Sequence, residues 1–405
     1  MVEFRLYQPE DRESIGRLWK EVGWSDPSDE GEVAALDSLL GTGMTEVAVI
    51  DGAAEAMAQN VPGDIFHTGT KLSMSAITAV LTSLVGRKMG LATTLTARAI
   101  AEGARSGAAV SVLGVFETGF YERLGFGTGS YEHELTFDPT SLALDHVTYR
   151  RPVRLGVDDA EEMHAALSGR LRSHGSAALH SPAHVAAELG WMKNAWALGY
   201  RTDGRLTHFM AGTAKDDRHF RPYFVAYETI EQLLELLRLA RELGDQLYRF
   251  TMMEPPEIQL QDLIRGPIRQ IGVARDTNVQ PHRAKAFWQL RINDLAAVVS
   301  SIDWPGEPVR FNLAVSDPIE RLDVGWPGIG DNYLVELSAD SLAEPGADSA
   351  LPTLTTAVGP LSRLLFGVVP TSTLAALDHI GCPAELAAAL DRALQMPQPH
   401  LGWDF

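Results

Sequence analysis

The 405-residue chain is acidic and has an ordinary globular composition, with 45% hydrophobic and 21% charged residues. Its formal net charge of −19 argues against non-specific nucleic-acid binding, which depends on cations that neutralise phosphates. The sequence has no apolar run near the roughly 20 residues of a membrane helix, and its one cysteine, Cys382, excludes an intrachain disulfide and a cysteine-based metal site.

The length is too great for one core and predicts two or three domains. The first predicted domain covers residues 1–145 and alternates strands with helices. A short strand at 4–6 and a strand at 46–52 that enters a tight turn enclose helical patterns near 11–20 and 32–40. The N-terminus lacks a basic region followed by an apolar core, which favours a cytoplasmic protein.

The stretch from residue 76 to residue 126 carries the clearest functional signal. An apolar strand at 76–81 is followed by a loop with Arg87, Lys88 and Gly90, and then by a helix that starts near Leu91. The first N–H groups of a helix have no intrahelical acceptor, and the helix dipole favours negative charge there. Because Arg87 and Lys88 add two cations, this loop is suited to a pyrophosphate.

A second block, residues 146–285, repeats the order of elements. Strand-like runs at 206–213 and 223–227 precede a helix at 230–243. The turn before that helix has no glycine and contains two acids, so it would repel phosphate. The block is therefore interpreted as a second copy of the fold without the anion site.

A third block, residues 286–405, begins with a strand and ends in helices and an extended tail. Its predicted strands are 287–292, 309–315 and 332–337, and its predicted helices are 294–300, 361–366, 372–379 and 385–394.

Two motifs of the first block resemble markers of the GNAT superfamily of N-acetyltransferases. Arg87, Gly90 and Ala92 fit its coenzyme A loop, Gln/Arg-x-x-Gly-x-Gly/Ala, and 120–126 resembles the marker whose tyrosine, here Tyr121, sits near the thioester sulfur. The alternative is an ordinary βαβ unit with a basic turn. The resemblance implies acetyl-CoA as cosubstrate, held by Val80, Thr82, Arg87, Lys88, Gly90, Leu91, Ala92 and Thr93.

The whole chain resembles the Eis (enhanced intracellular survival) family of acetyltransferases. That family has a catalytic GNAT domain, a degenerate GNAT-like domain and a sterol-carrier-protein-like domain, which implies an α/β fold of tandem GNAT units with mixed, mostly antiparallel sheets. It also implies a homohexamer and acetyl transfer to amines, including those of aminoglycosides. The sequence departs from the family at Met89, where arginine is usual, and around 24–27, which leaves the acceptor open.

The resemblance also implies roles for single residues. Tyr121, whose ordinary pKa of ~10 keeps it protonated, is the candidate general acid for a thiolate of pKa ~8.5, and the alternative is a core tyrosine. The α-carboxylate of Phe405, with a pKa of ~3.5, is the candidate base, carried by a tail whose aromatic rings favour burial. Apart from the resemblance, Trp24, Asp26 and Asp404 are candidate contacts for a cationic amine substrate, and for each of the two acids singly the alternative is a solvated surface group.

Other constellations fail as sites. His180 and His184 are four residues apart but flank Ser181-Pro182, so a metal site there is improbable and none is predicted. Two further functions stay open beside the small-molecule acetyltransferase. The first is a lipid- or small-molecule-binding protein with a vestigial GNAT domain, and the second is an acetyltransferase for protein lysines.

Overall fold

The computed structural model describes residues 2–24, 29–214, 218–266, 282–377, 379–403 and 405. Its strands are β1 (Val2–Leu6), β2 (Met44–Ile50), β3 (Ala53–His67), β4 (Thr70–Thr82), β5 (Val110–Gly114), β6 (Gly127–Thr128), β7 (Glu132–Phe137), β8 (Val153–Arg154), β9 (Ala177–Leu179), β10 (Ala195–Thr202), β11 (Arg205–Ala214), β12 (His219–Ala226), β13 (Arg249–Met253), β14 (His282–Lys285), β15 (Trp288–Ile292), β16 (Val309–Ser316), β17 (Asp331–Leu337), β18 (Leu342–Pro345), β19 (Thr353–Ala357) and β20 (Ile380–Gly381). Its α-helices are α1 (Arg12–Glu21), α2 (Glu30–Leu40), α3 (Leu91–Arg105), α4 (Thr118–Glu122), α5 (Ala160–Ser168), α6 (Pro182–Trp191), α7 (Ile230–Glu242), α8 (Leu295–Ser300), α9 (Val358–Leu365), α10 (Thr371–Ala376) and α11 (Ala384–Ala393). Among these helices, none has both the length and the apolar character that crossing a bilayer requires.

The first sheet has the order β1-β2-β3-β4-β5-β15-β6, and β9 pairs with β3. The long strands β3 and β4 form a hairpin around Thr68 and Gly69, which both have positive φ, as a tight two-residue hairpin turn requires. Helix α3 covers this sheet with Leu91, Leu95 and Ala99, which are all buried. The helix predicted to start near Leu91 is confirmed.

The second sheet, β14-β7-β13-β12-β11-β10-β8, contains a repeat of one supersecondary unit of the first. Strands β4 and β5 are parallel and are joined through α3, and β12 and β13 are parallel and are joined through α7. Helix α7 buries Leu233, Leu236 and Leu237, as its spacing predicts. The mixed α/β fold predicted from the sequence is therefore confirmed.

Strand pairing crosses both predicted domain limits. Strand β7, from the predicted first domain, lies between β14 and β13 of the second sheet, whereas β15, from the predicted third domain, lies between β5 and β6 of the first. The limits at 145 and 286 stay predictions. Strands β14 and β15 are adjacent in the chain but belong to different sheets.

The third sheet, β18-β17-β16-β19-β20, is formed by the C-terminal part of the chain. It contains the predicted strands at 309–315 and 332–337 as β16 and β17. Helix α9 packs against β15 and β6, so this part of the chain shares a core with the first sheet. Its likeness to sterol carrier protein stays a prediction.

Candidate active site

Strands β4 and β5 separate in the middle of the first sheet. Their parallel register ends at Ile77 and Leu113, while β4 continues to Thr82. Just beyond the last pair, Ala79 has φ of 50° and the register with β3 shifts, so β4 carries a bulge. A non-glycine residue in the left-handed region is strained and is typical of functional sites. The bulge lies next to the point where the two strands separate.

The loop between β4 and α3 is anchored by hydrogen bonds at its start and has residues in the left-handed backbone conformation at its end. Ser83 N–H donates to Glu55 O at 2.8 Å, and Gly86 N–H donates to Ser83 Oγ at 3.0 Å. Lys88 and Gly90 have φ of 66° and 77°, and Gly90 directly precedes α3. A Cβ at Gly90 would meet no atom within 4 Å, so the backbone conformation rather than the space favours glycine here.

This loop places two exposed cationic side chains just before the start of α3. Arg87 and Lys88 are exposed, and within the described part of the chain neither forms an ion pair. The first-turn N–H groups of α3, from Leu91 to Thr93, have no acceptor inside the helix. Helix dipole, amides and two cations therefore converge as the sequence predicts for an anion site.

A cleft of about 1290 Å³ runs from this loop into the gap beside β4. It brings most of the predicted site residues together. Those that line it are Trp24, Val80, Thr82, Arg87, Lys88, Gly90, Leu91, Ala92, Thr93, Tyr121 and Phe405. The other two predicted contacts, Asp26 and Asp404, lie outside the described residues.

Tyr121 lies on α4 and is only 7% exposed, although it lines the cleft. Its ring makes edge contacts with Phe120 and Phe126, at centroid distances of 4.9 and 6.1 Å. Its carbonyl accepts from Leu124 N–H at 2.9 Å and closes the turn that follows. Burial raises the pKa of Tyr121 to about 12, so the phenol is protonated and able to donate at neutral pH.

The C-terminal tail is fixed against the rest of the molecule up to its last residues. Trp403 is 3% exposed and lies under the Arg170 guanidinium at 5.4 Å from the ring centroid. Phe405 is half-buried and lines the cleft. Hydrogen bonds that hold the tail run from Ser130 Oγ to Pro399 O, from His400 N to His174 O, from Leu401 N to Glu132 Oε1, from Ala177 N to Leu401 O and from Arg170 Nη2 to Gly402 O.

One wall of the cleft is aromatic, and the sequence analysis missed most of it. Trp19 and Trp191 stack at a centroid distance of 4.9 Å, and Trp24 meets Trp19 edge-on at 5.2 Å. The indole N–H groups of Trp19 and Trp191 are buried and have no hydrogen-bond partner among the described residues. Trp19 sits in the apolar stripe of α1, so its pattern indicates a core residue. Nothing in the local sequence links Trp191, from α6, to this site.

Three carboxylates also line the cleft. Glu21, Glu117 and Glu188 line the cleft. Glu21 Oε2 accepts a hydrogen bond from Leu84 N–H at 2.9 Å, and Glu21 Oε1 lies 3.7 Å from Arg17 Nε. These contacts orient the carboxylate, and Arg17 balances part of its charge. The sequence analysis did not single out these three acids, because isolated acids are normally solvated surface groups.

The residues present fit an acyl-coenzyme A. The bulged edge of β4 supplies backbone donors and acceptors for an extended amide-bearing arm, and the loop supplies N–H groups and cations for phosphates. In addition, Thr82 Oγ1 is buried without a hydrogen-bond partner in the described structure, although Thr82 lines the cleft. A buried polar atom without a hydrogen-bond partner indicates a position that a polar ligand atom would occupy.

The chain is similar to known proteins in its N-terminal sequence and in its overall fold. Residues 3–129 match the family of acetyltransferase (GNAT) domains. Over 100% of both chains, the structure is similar to a GCN5-related N-acetyltransferase from Anabaena variabilis ATCC 29413 (TM-score 0.80, 13% identity), a probable N-acyltransferase from Enterococcus faecalis V583 (0.79, 15%) and Eis1 from Mycobacterium abscessus (0.76, 15%). No curated protein sequence matches the chain.

Residues 3–129 therefore have the fold of an acetyltransferase (GNAT) domain. The fold of the whole chain is similar to that of Eis1, because the likeness extends over all of both chains. At these identities the structural likeness establishes the fold, and the acceptor has to be argued from the site.

Proposed function

We propose that the protein transfers the acetyl group of acetyl-CoA to a primary amine of a cationic small molecule, of aminoglycoside-like or polyamine-like chemistry. The observation that carries the proposal is the cleft itself. Its lining includes the basic, amide-rich start of α3, which we take as the donor end, and three tryptophans with nearby carboxylates, which we take as the acceptor end; Tyr121 also lines it. Direct attack by the amine in a ternary complex needs both substrates in one cleft, which a volume of about 1290 Å³ allows.

The donor end is proposed to hold acetyl-CoA without a metal. Residues Arg87 to Thr93 bind the phosphates, and the backbone around Val80 and Thr82 pairs with the pantetheine arm and orients the thioester carbonyl. The equivalent turn of the second GNAT-like unit contrasts with this loop. There Glu228 pairs with Arg205, and Thr229 caps α7 by accepting Gln232 N–H. Because that helix start is already capped and carries a carboxylate, it is proposed to bind no coenzyme.

Two groups are proposed to move protons. Tyr121, held protonated by burial, donates to the departing thiolate of coenzyme A. The α-carboxylate of Phe405 accepts the proton of the attacking amine or orients the ammonium before attack. This role is supported by the position of the C-terminal tail. Phe405 lines the cleft although it lies more than a hundred residues beyond the end of the GNAT match in the sequence.

The acceptor end favours a cation of more than one charge. Trp19, Trp24 and Trp191 offer ring faces and edges, and a cation over an indole gains about 0.5–2 kcal/mol depending on its desolvation. Glu21, Glu117 and Glu188 add negative charge to the same cleft. Polyamines and aminoglycosides carry several amines, so one is free to react while the others bind. A sterol-carrier-like third domain and a hexamer are part of the same proposal, and sedimentation velocity tests the assembly.

The decisive experiment is thiol release from acetyl-CoA with a panel of aminoglycosides, polyamines and lysine peptides. Wild type, Tyr121→Phe, a chain that ends at residue 404 and a chain extended by one glycine after Phe405 are compared. Amine-dependent release that falls in all three variants supports the enzyme and both proton-transfer roles. Release that survives truncation and extension removes the terminal carboxylate from the mechanism.

Two other outcomes favour the competing functions. If only lysine peptides release thiol, the acceptor is a protein lysine. If no amine does so, and coenzyme A does not bind by calorimetry while lipid co-purifies, the chain is a binding protein with a vestigial GNAT domain.

A further inference from the structure

Three metal-ligating side chains meet at the edge of the second sheet. His133 lies on β7, His282 begins the edge strand β14, and Glu254 directly follows β13. In the register of β14 with β7, His282 faces Leu135, two residues from His133, so the two imidazoles share one face of the sheet. Glu254 N–H donates to His133 O at 2.7 Å, which brings the carboxylate beside both rings.

The distances between the ligand atoms match a first coordination sphere. His133 Nδ1 is 3.2 Å from His282 Nε2, and His282 Nε2 is 3.5 Å from Glu254 Oε2. All three ligand atoms lie within 4.8 Å of one another, and theirs is the one such group among the described residues. An ion with bonds of about 2.0–2.1 Å in tetrahedral geometry separates its ligands by about 3.3 Å, so little movement would close the site.

The carboxylate is already oriented by a second contact. Glu254 Oε1 accepts Leu260 N–H at 2.8 Å, which leaves Oε2 directed towards the imidazoles. Outer contacts of this kind fix a ligand before the ion arrives. The two rings are nearly parallel, 11° apart at a centroid distance of 5.0 Å, so each would turn about its Cβ–Cγ bond on binding. Both side chains are exposed and have room to turn.

We propose that His133, Glu254 and His282 form a binding site for a first-row divalent transition ion, with Zn²⁺ the best match. Two imidazoles and a carboxylate are a common zinc set, and water completes the tetrahedron. None of the three residues lines the cleft, so the site lies apart from the proposed acetyl transfer. The ion would tie the edge strand β14 to β7 and to the end of β13. Strand β14 ends at Lys285, which lines the cleft, and Phe287 follows it there.

The test uses full-length protein without a polyhistidine tag, cleared of metal by chelation and titrated with ZnCl₂ by calorimetry. We expect one Zn²⁺ per chain and a thermal midpoint that rises with Zn²⁺. His133→Ala, His282→Ala and Glu254→Gln should each weaken binding by at least the roughly 10–100-fold that a lost outer-shell partner costs. The matched control is His379→Ala, which removes an exposed histidine elsewhere and should bind Zn²⁺ as wild type does.

Two readouts separate loss of the site from loss of the fold. Circular dichroism and acetyl-CoA-dependent activity without Zn²⁺ should be unchanged in the His133→Ala and His282→Ala variants. Co²⁺ should give the absorption of a tetrahedral nitrogen and oxygen site in wild type and in His379→Ala, and this absorption should be lost in the His133→Ala and His282→Ala variants. Substoichiometric binding, or equal binding by the folded His133→Ala/His282→Ala double variant, would overturn the proposal.

Discussion

Arg291 and Asp317 form an ion pair from which solvent is excluded, with 2.5 Å between Nη2 and Oδ2 and both side chains 0% exposed. Arg291 lies on β15 in the first sheet, and Asp317 follows β16 of the third. The same guanidinium donates to Leu124 O at 2.6 Å, three residues after Tyr121. The pair therefore joins the C-terminal part of the chain to the turn that carries the proposed general acid.

Removing one partner of this pair should be costly. Asp317→Ala leaves the Arg291 charge buried and also takes the acceptor from the N–H groups of Ile319 and Ile329. We expect the free energy of unfolding to fall by about 3–5 kcal/mol, as for other broken buried pairs. Urea denaturation checks this value.

A double-mutant cycle separates the pair from its surroundings. Arg291→Met/Asp317→Ala should lose less stability than the sum of the two single variants, because neither charge is then left alone. Additive losses would mean that the two charges do not stabilise each other.

Tyr121→Phe tests the proton donor. The change removes one hydroxyl and keeps the ring contacts with Phe120 and Phe126. We expect kcat to fall about 10²–10⁴-fold, the usual contribution of a positioned acid, with little change in the KM for acetyl-CoA. Because burial raises the pKa of Tyr121 to about 12, its ionisation should not limit kcat below pH 10. Tyr131→Phe, at a side chain that is 70% exposed, is the matched control. An unchanged kcat in Tyr121→Phe would leave the residue as a core tyrosine.

The basic loop should act on coenzyme binding rather than on chemistry. Arg87→Ala and Lys88→Ala each remove an exposed cation beside the start of α3. We expect each change to raise the KM for acetyl-CoA several-fold and to leave kcat near the wild-type value, and added salt should shrink the difference. Lys20→Ala removes an exposed cation from α1 and should change neither constant. A fall in kcat alone would contradict phosphate binding by this loop.

The parts of the site that the sequence predicts are those in which neighbouring residues act together. The loop from Arg87 to Thr93, the helix that follows and the Tyr121 marker are short continuous segments, and the cleft brings them together. Trp191 joins the same cleft from α6, and His133, Glu254 and His282 come from three separate strands or strand ends. Such sets depend on how the sheets fold, and no spacing along the chain reports them.

Strand β3 shows how tertiary context overrides a local pattern. Its first residues, Ala53 to Gln59, have a composition that favours helix, and the sequence analysis assigned no strand there. In the fold the strand is central and buried on both faces, so it lacks the alternation of a half-exposed strand. Gln59 is 0% exposed and donates to Leu39 O at 2.8 Å, a partner that the sequence does not reveal.

Two buried histidines join the first sheet to the C-terminal part of the chain. His67 Nε2 is 2.8 Å from Leu365 O, and His174 Nε2 is 3.0 Å from Phe366 O. The two rings lie 5.1 Å apart, and Ser301 Oγ lies 2.8 Å from His67 Nδ1. Burial, with a smaller effect of His174, lowers the pKa of His67 to about 4, and burial also lowers the pKa of His174. Both rings are therefore neutral in the folded protein at neutral pH.

Acid should weaken this junction. In the unfolded chain His67 is protonated below its ordinary pKa of about 6.5, whereas in the folded protein it is protonated only below about pH 4. The free energy of unfolding therefore falls as the pH decreases from about 6.5 to about 4. For His67 the lowered pKa corresponds to a loss of about 3 kcal/mol in the free energy of unfolding between pH 6.5 and pH 4. Urea denaturation between pH 7 and 4 should show the fall, and His67→Gln should flatten it, because glutamine keeps a donor for Leu365 O and does not titrate. His146→Gln, at an exposed position, should leave the slope unchanged. If His67→Gln retains the full acid dependence, other groups govern it and His67 is not buried as a neutral ring.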